Sequence, residues 1–120
     1  MPESGTTEQE QVSQAKAEVF RALGHPKRVR ILELLRGGER TVGDLQQALG
    51  LDASSTSQHL GSLRNRDLVT ARRDGKNVYY SIKDPRTAEL LEVARRLITT
   101  RIENSQSLLE QLAESEDGSK

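Results

Sequence analysis

The sequence predicts a mainly α domain carrying one small β-hairpin, and three observations predict it. Two short helical runs meet at a tight turn around Gly50. After Leu68 the hydrophobic period changes from the helical 3.6 to the strand-like 2, with an Asp-Gly pair inside the alternating stretch. From Pro85 the helical spacing returns and runs to about Ala113.

The elements follow in order. Residues 1–6 are expected to be disordered. From Thr7 to Leu23, Val12, Ala15, Val19 and Ala22 recur at three- and four-residue steps with Phe20 beside them, the apolar stripe of a first helix. Gly24 stops it, and His25-Pro26 starts a second, because proline suits the first helical position. That helix runs to Arg36 and is expected to bury Val29, Leu32 and Leu35, with Ile31 and Leu34 flanking. Gly37-Gly38 ends it. Thr41 with Asp44 three residues on is a capping box with Asp in place of Glu, and it opens a helix from Val42 to Leu49. Gly50 closes that helix. Asp52 caps the next, Ala53 to about Arg66, so the pair forms a helix-turn-helix.

Val69 to Arg73 reads as a strand, Asp74-Gly75 as a hairpin turn, and Asn77 to Ile82 as the return strand with Val78, Tyr80 and Ile82 on one face. Asp84-Pro85 caps a helix to about Ala113, roughly 40 Å long at 1.5 Å per residue. Its apolar positions include Leu91, Ala94, Ile98, Ile102, Leu109 and Leu112. A helix-turn-helix followed by a hairpin is a winged helix. Residues 7–113 are thus expected to form one winged-helix domain, and 114–120 a disordered tail.

Composition narrows the function. The net charge is zero, but residues 1–22 carry −2, residues 23–83 carry +5 and residues 84–120 carry −3. A basic middle between acidic ends suits a polyanion partner for the middle alone. There is no cysteine, which excludes disulfides, thiolate metal sites and thiol redox switching. No run approaches the roughly 18 apolar residues of a membrane span, and the polar, acidic start is unlike a signal peptide, so a cytoplasmic location and no membrane partner are expected.

The helix from Ala53 opens on four hydroxyl residues, Ser54 to Ser57. Hydroxyls are indifferent helix formers, so a full turn of them needs a reason. The second helix of a helix-turn-helix enters the major groove with its N-terminal residues at the base edges. Short side chains let it approach closely, and each hydroxyl can pair with a phosphate or a base. Ser54, Ser55 and Ser57 fit such a groove-facing turn, while Thr56, Leu60 and Leu63 share the opposite, core-facing stripe. Gln58 is the best base reader, since glutamine pairs bidentately with adenine. His59 can donate to a phosphate or to guanine. Arg72, Arg73, Lys76 and Asn77 surround the hairpin tip and suit a wing lying along a phosphate backbone. Arg64 and Arg66 add candidate phosphate contacts, with Asp67 nearby expected to tie up one of them.

The stretches FRALGHPKRVRILELL, TVGDLQQALGLDASSTSQHLGSLRNRDLV and ARRDGKNVYYSI resemble the ArsR/SmtB family of bacterial winged-helix repressors. The similarity runs from about Ala17 to Leu97. Ser57-Gln58-His59-Leu60 and the wing from Arg73 to Tyr80 carry it in combination. It implies a winged helix-turn-helix with long N- and C-terminal dimerisation helices. It also implies a homodimer on a palindromic double-stranded operator, and repression relieved by an inducer. Many members hold a metal or metalloid through cysteines in a run like ELCVCDL. Here the run is ERTVGDL, with Thr41 and Gly43 at the cysteine positions. Others use histidines of the last helix, which has none here. The only histidines, His25 and His59, fall in separate helices, His25 reading as a cap or surface residue. Glu89, Glu92, Glu103 and Glu110 read as a solvated, charge-alternating face, with Arg95, Arg96 and Arg101 pairing to Glu92 and Glu103. No metal and no cofactor are expected, and an unidentified small-molecule effector stays open.

The long last helix supports a dimer independently, because Leu108, Leu109 and Leu112 lie beyond what a wing needs covered. A rival reading is a protein-interaction adaptor using the winged helix or the long helix, for which acidic ends and zero net charge leave room. An enzyme is not expected. There is no glycine-rich phosphate loop, and Ser57 and His59, two apart on a helix, face different directions.

Overall fold

The computed structural model describes residues 7–118. The expected disordered start, residues 1–6, and the end of the expected tail, 119–120, lie outside them. The chain divides into two compact units, one up to Ala88 and one from Glu89 onward.

In the first unit the helices are α1 (Glu8–Leu23), α2 (Pro26–Leu35), α3 (Val42–Leu49) and α4 (Ala53–Asn65), and the strands are β1 (Arg40–Thr41), β2 (Val69–Asp74) and β3 (Asn77–Ile82). Local chemistry sets the helix starts. Thr7 and Glu10 form a reciprocal capping box on α1. His25 caps α2, its Nδ1 accepting the Lys27 N–H at 3.2 Å ahead of Pro26. Thr41 and Asp44 make the second capping box, at 3.1 and 3.3 Å, on α3. Asp52 caps α4, accepting from the Ser55 N–H at 2.7 Å.

The helix ends are equally local. Gly50 is left-handed at φ 66, which lets the Leu51 N–H reach back to Gln46 O at 3.2 Å and sets the turn between α3 and α4. At the end of α4, Asp67 takes φ 59. There Leu68 N–H bonds Leu63 O at 2.9 Å and Asp67 N–H bonds Arg64 O at 3.0 Å. This is a Schellman ending with aspartate at the place glycine usually holds. It redirects the chain from α4 straight into β2.

The hairpin pairs Asp74 with Asn77, so its two loop residues are Gly75 and Lys76, one position later than the Asp-Gly pair alone indicates. Gly75 sits at φ 64 and Lys76 is not in the left-handed region. A two-residue turn with positive φ only at its first centre places glycine there. The sheet has three strands in the order β1-β3-β2, all antiparallel. β1 was not expected from the sequence. It pairs Arg40 with Tyr80 and Thr41 with Tyr79, so Thr41 both extends the sheet and caps α3.

The core of this unit comprises Ala22, Ile31, Leu32, Leu35, Leu45, Leu60, Leu63, Leu68 and Val69, with Thr56 fully buried among the polar residues. Thr56 satisfies its hydroxyl by donating to Asp52 O at 2.8 Å. On α2 the core face is turned from the expected one. Ile31 is buried, while Val29 is only half-buried. On α1, Ala22 alone of the expected stripe is buried, and Val12 and Phe20 stand exposed at 52% and 58%.

The last helix, α5, spans Arg86–Gly118, past the expected end at Ala113. Asp84 accepts the Arg86 N–H at 2.9 Å at its start. The Arg86 guanidinium and N–H hold the Asp84 carboxyl down to about 2. Leu97, Ile98, Ile102, Leu108, Leu109 and Leu112 are exposed along α5. Arg95 pairs with Glu92 at 3.4 Å. No helix is long and apolar enough to cross a membrane among the described residues.

Candidate nucleic-acid interface

The buried stripe Thr56, Leu60 and Leu63 fixes how α4 is rotated. With that face in the core, the residues between it in sequence look outward. Ser54, Ser57, Gln58 and Arg64 are exposed, and Arg64 has no ion-pair partner among the described residues. Ser55 is half-buried, next to the Asp52 cap. The Ser55 hydrogen bonds hold the Asp52 carboxyl below its usual range, so the cap is ionised at neutral pH. A helix N-terminus with an exposed hydroxyl row, an amide and a free guanidinium can meet phosphates and base edges together.

His59 sits differently from Gln58. It is half-buried, its ring centroid 4.4 Å from that of His25 at a 55° tilt. Its Nδ1 accepts from Arg28 Nε at 3.3 Å. The sequence placed the histidines in separate helices with nothing to join them, but the fold brings them into contact. The cause is the packing of α2 against α4, which residue spacing does not reveal. Burial, then His25, Arg28 and Lys27, push the His59 pKa below the ordinary value.

The wing separates its cations into two kinds. Arg72 is engaged by Glu39, with Nε at 3.0 Å and Nη2 at 2.5 Å from its carboxylate oxygens. Its guanidinium lies 4.7 Å from the Tyr79 ring centroid. The Glu39 hydrogen bond raises Arg72 and lowers Glu39 from their ordinary values. Arg73 and Lys76, in contrast, are exposed and have no ion-pair partner among the described residues, and Asn77 is exposed beside them. Arg72 therefore ties the wing to the residue just ahead of β1, and the tip beyond it keeps the available charge.

Two pairings differ from the expected ones. Asp67 meets Lys83 at 3.2 Å rather than Arg64 or Arg66. Arg66 instead reaches Glu18 of α1 at 3.1 Å, joining the end of α4 to the first helix. Glu39, Arg28 and Glu18 were not indicated by the sequence, because each meets a residue of α4 or the wing across the fold and no local spacing signals such a pair. Tyr79 is the cross-strand partner of Arg72 within the hairpin, a pairing that follows from hairpin register. Among the described residues, no three of His, Cys, Asp and Glu group as a metal site would.

A helix-turn-helix with an outward polar row, followed by a basic-tipped hairpin, defines a winged-helix DNA-binding protein. Comparison with known proteins names the family. A family model described as "Bacterial regulatory protein, arsR family" matches residues 25–71. An uncharacterized HTH-type transcriptional regulator of Mycobacterium tuberculosis, Rv0081, is 46% identical over 106 residues, 88% of this chain and 93% of its own. The crystal structure of Rv0081 matches with a TM-score of 0.73 at 47% identity, covering 78% of this chain and 94% of that one. The solution structure of a homodimeric winged helix-turn-helix DNA-binding domain from Mycobacterium bovis matches with a TM-score of 0.75 at 30% identity, covering 85% and 95%. A probable mercury resistance operon repressor of Streptomyces lividans is 42% identical over 81 residues, 68% of this chain and 65% of its own. The chain belongs to the arsR family of bacterial regulatory proteins and is a DNA-binding transcriptional regulator.

Proposed function

We propose that the protein is a homodimeric repressor that binds a palindromic operator and needs no metal to do so. The observation that carries this reading is the division of α4. Its buried face is anchored by Thr56, Leu60 and Leu63, and its outward face offers Ser54, Ser57 and Gln58 to a groove. In this reading Gln58 reads a base, Ser54, Ser55 and Ser57 allow close approach, and His59 donates one hydrogen bond. Arg64, Arg73, Lys76 and Asn77 hold the backbone, and Arg72 sets the angle of the wing.

Dimerisation through α1 and α5 is supported by their exposed apolar residues, Phe20 and Val12 on one and Leu97 to Leu112 on the other. Two copies present two recognition helices, which is what a palindromic site requires. Metal independence is supported by the donor set. The chain has no cysteine, so it lacks the soft ligand a thiophilic metal such as mercury would need. Nδ1 of each histidine already accepts a hydrogen bond. An effector, where one exists, is then a small molecule other than a thiophilic metal.

Fluorescence anisotropy tests this with the DNA upstream of the protein's own gene and a scrambled duplex, at two salt concentrations, with and without a chelator. Specific binding insensitive to the chelator is the expected result. Equal, salt-erased binding to both duplexes would overturn it and favour a protein-interaction adaptor. A monomer mass in light scattering at micromolar concentration would overturn the dimer.

A further inference from the structure

We infer that Arg28 is a positioning residue for DNA recognition: it holds His59 as the neutral imidazole whose proton is on Nε2, so that the recognition helix presents a fixed N–H donor. The inference rests on the proposed function and specifies the role of one residue in it.

Tautomer is set by what the other ring nitrogen does. An arginine guanidinium is charged at all working pH values and has only donors. Where Arg28 Nε–H points at His59 Nδ1 at 3.3 Å, that nitrogen must be the acceptor. The neutral ring then carries its proton on Nε2. Nε2 has no hydrogen-bond partner among the described residues. It is not sealed from solvent either, since the one side-chain nitrogen there that is both buried and unpaired is Nε of Arg66. The donor is therefore fixed in identity and left available, on the helix that carries Ser57 and Gln58.

The His59 ring has a second neighbour in the ring of His25. His25 lies 4.4 Å away, and its own Nδ1 accepts the Lys27 N–H that caps α2. The charged and titratable groups facing His59 are thus His25, Lys27 and Arg28, all from the start of α2. A second proton on His59 would turn the Arg28 contact from donor–acceptor to donor–donor and add a positive charge beside two others. Burial and these neighbours lower the His59 pKa in keeping with this. The recognition helix therefore carries a neutral reader at this position, distinct from the ionic contacts of the wing.

Nitrogen-15 NMR of the imidazoles in the full-length protein reads the tautomer without any DNA. The wild type is expected to show His59 protonated at Nε2, and Arg28→Met to release it into a mixture. A wild type protonated at Nδ1, or a tautomer unchanged by Arg28→Met, would overturn the inference. On DNA, His59→Gln keeps a donor near Nε2 and His59→Asn moves it to the Nδ1 position. His59→Asn is expected to lose about tenfold more operator affinity than His59→Gln, the order of one hydrogen bond. Arg28→Met should cost about tenfold in the wild type and much less in the His59→Gln background, where no tautomer needs fixing. Equal losses in both backgrounds would mean that Arg28 acts on phosphate or on folding, and would overturn the positioning role. A wild type with no preference for the operator would refute the proposed function, and the nitrogen spectra would still decide the tautomer.

Discussion

Arg72 and Arg73 are neighbours on β2 with the same charge, yet they are assigned opposite work, and salt dependence tells them apart. Arg73 is free to meet a phosphate, whereas Arg72 is neutralised by Glu39 and laid over Tyr79. Binding that neutralises phosphates releases counterions, so log K falls with log salt in proportion to the number of contacts. Arg73→Ala removes one contact per wing, and each lost contact flattens the slope by about 0.9, hence by about 1.8 for a dimer. Between about 50 and 200 mM salt, the affinity of the wild type should therefore fall about twelvefold further than that of the variant. Lys76→Ala should behave alike. Arg72→Ala should lower affinity through the angle of the wing while leaving the slope nearer the wild-type value. Anisotropy titrations across that salt range, on operator and scrambled duplexes, measure all three slopes. An Arg72→Ala slope as flat as that of Arg73→Ala, or an unchanged Arg73→Ala slope, would refute the division of labour.

Three further outcomes are expected. Gln58→Ala should relax discrimination at one base pair by roughly 1 to 3 kcal/mol with little change in salt slope, measured with single-substitution operators. Thr41→Ala removes the oxygen that accepts the Asp44 N–H at 3.1 Å, and should cost about 1 kcal/mol in a denaturant melt. The depressed His59 pKa means that the unfolded chain binds more protons than the folded one just below the ordinary histidine pKa of about 6.5. Its contribution to stability is complete above that pH and declines as the pH falls toward the folded value. Melting temperatures between pH 7.5 and 5.5 should fall in the wild type and fall less in His59→Gln.

Much of the fold is written in short-range chemistry. The capping boxes at Thr7 and Thr41, the caps at His25 and Asp52, and the left-handed Gly50 all act within a few residues. They mark where α1, α2, α3 and α4 begin and where α3 ends, and all but the box at Thr7 are indicated by the sequence, which places the start of α1 by its apolar period. The core stripe of α4 is legible for the same reason: Thr56, Leu60 and Leu63 repeat at the helical period, and all three are buried. The candidate DNA-facing residues follow as its complement.

What the sequence could not reveal is what the helix and strand surfaces meet. Ile31 and Val29 are both β-branched and two residues apart, and only the packing of α2 against its neighbours chose Ile31 for the core. β1 is two residues long, too short for any period, and exists because β3 offers Tyr80 and Tyr79 as antiparallel partners to Arg40 and Thr41. Glu39 and Arg72 stand 33 residues apart, Arg28 and His59 stand 31 apart, and Glu18 and Arg66 stand 48 apart. Periodicity and capping reach across one or two turns of helix, so the sequence by itself determined the helices, the two hairpin strands, their order and the polar face of α4. Contacts between distant segments depend on how those elements pack. Tertiary structure alone decided which wing arginine is held and which is free, and that the two histidines share one site.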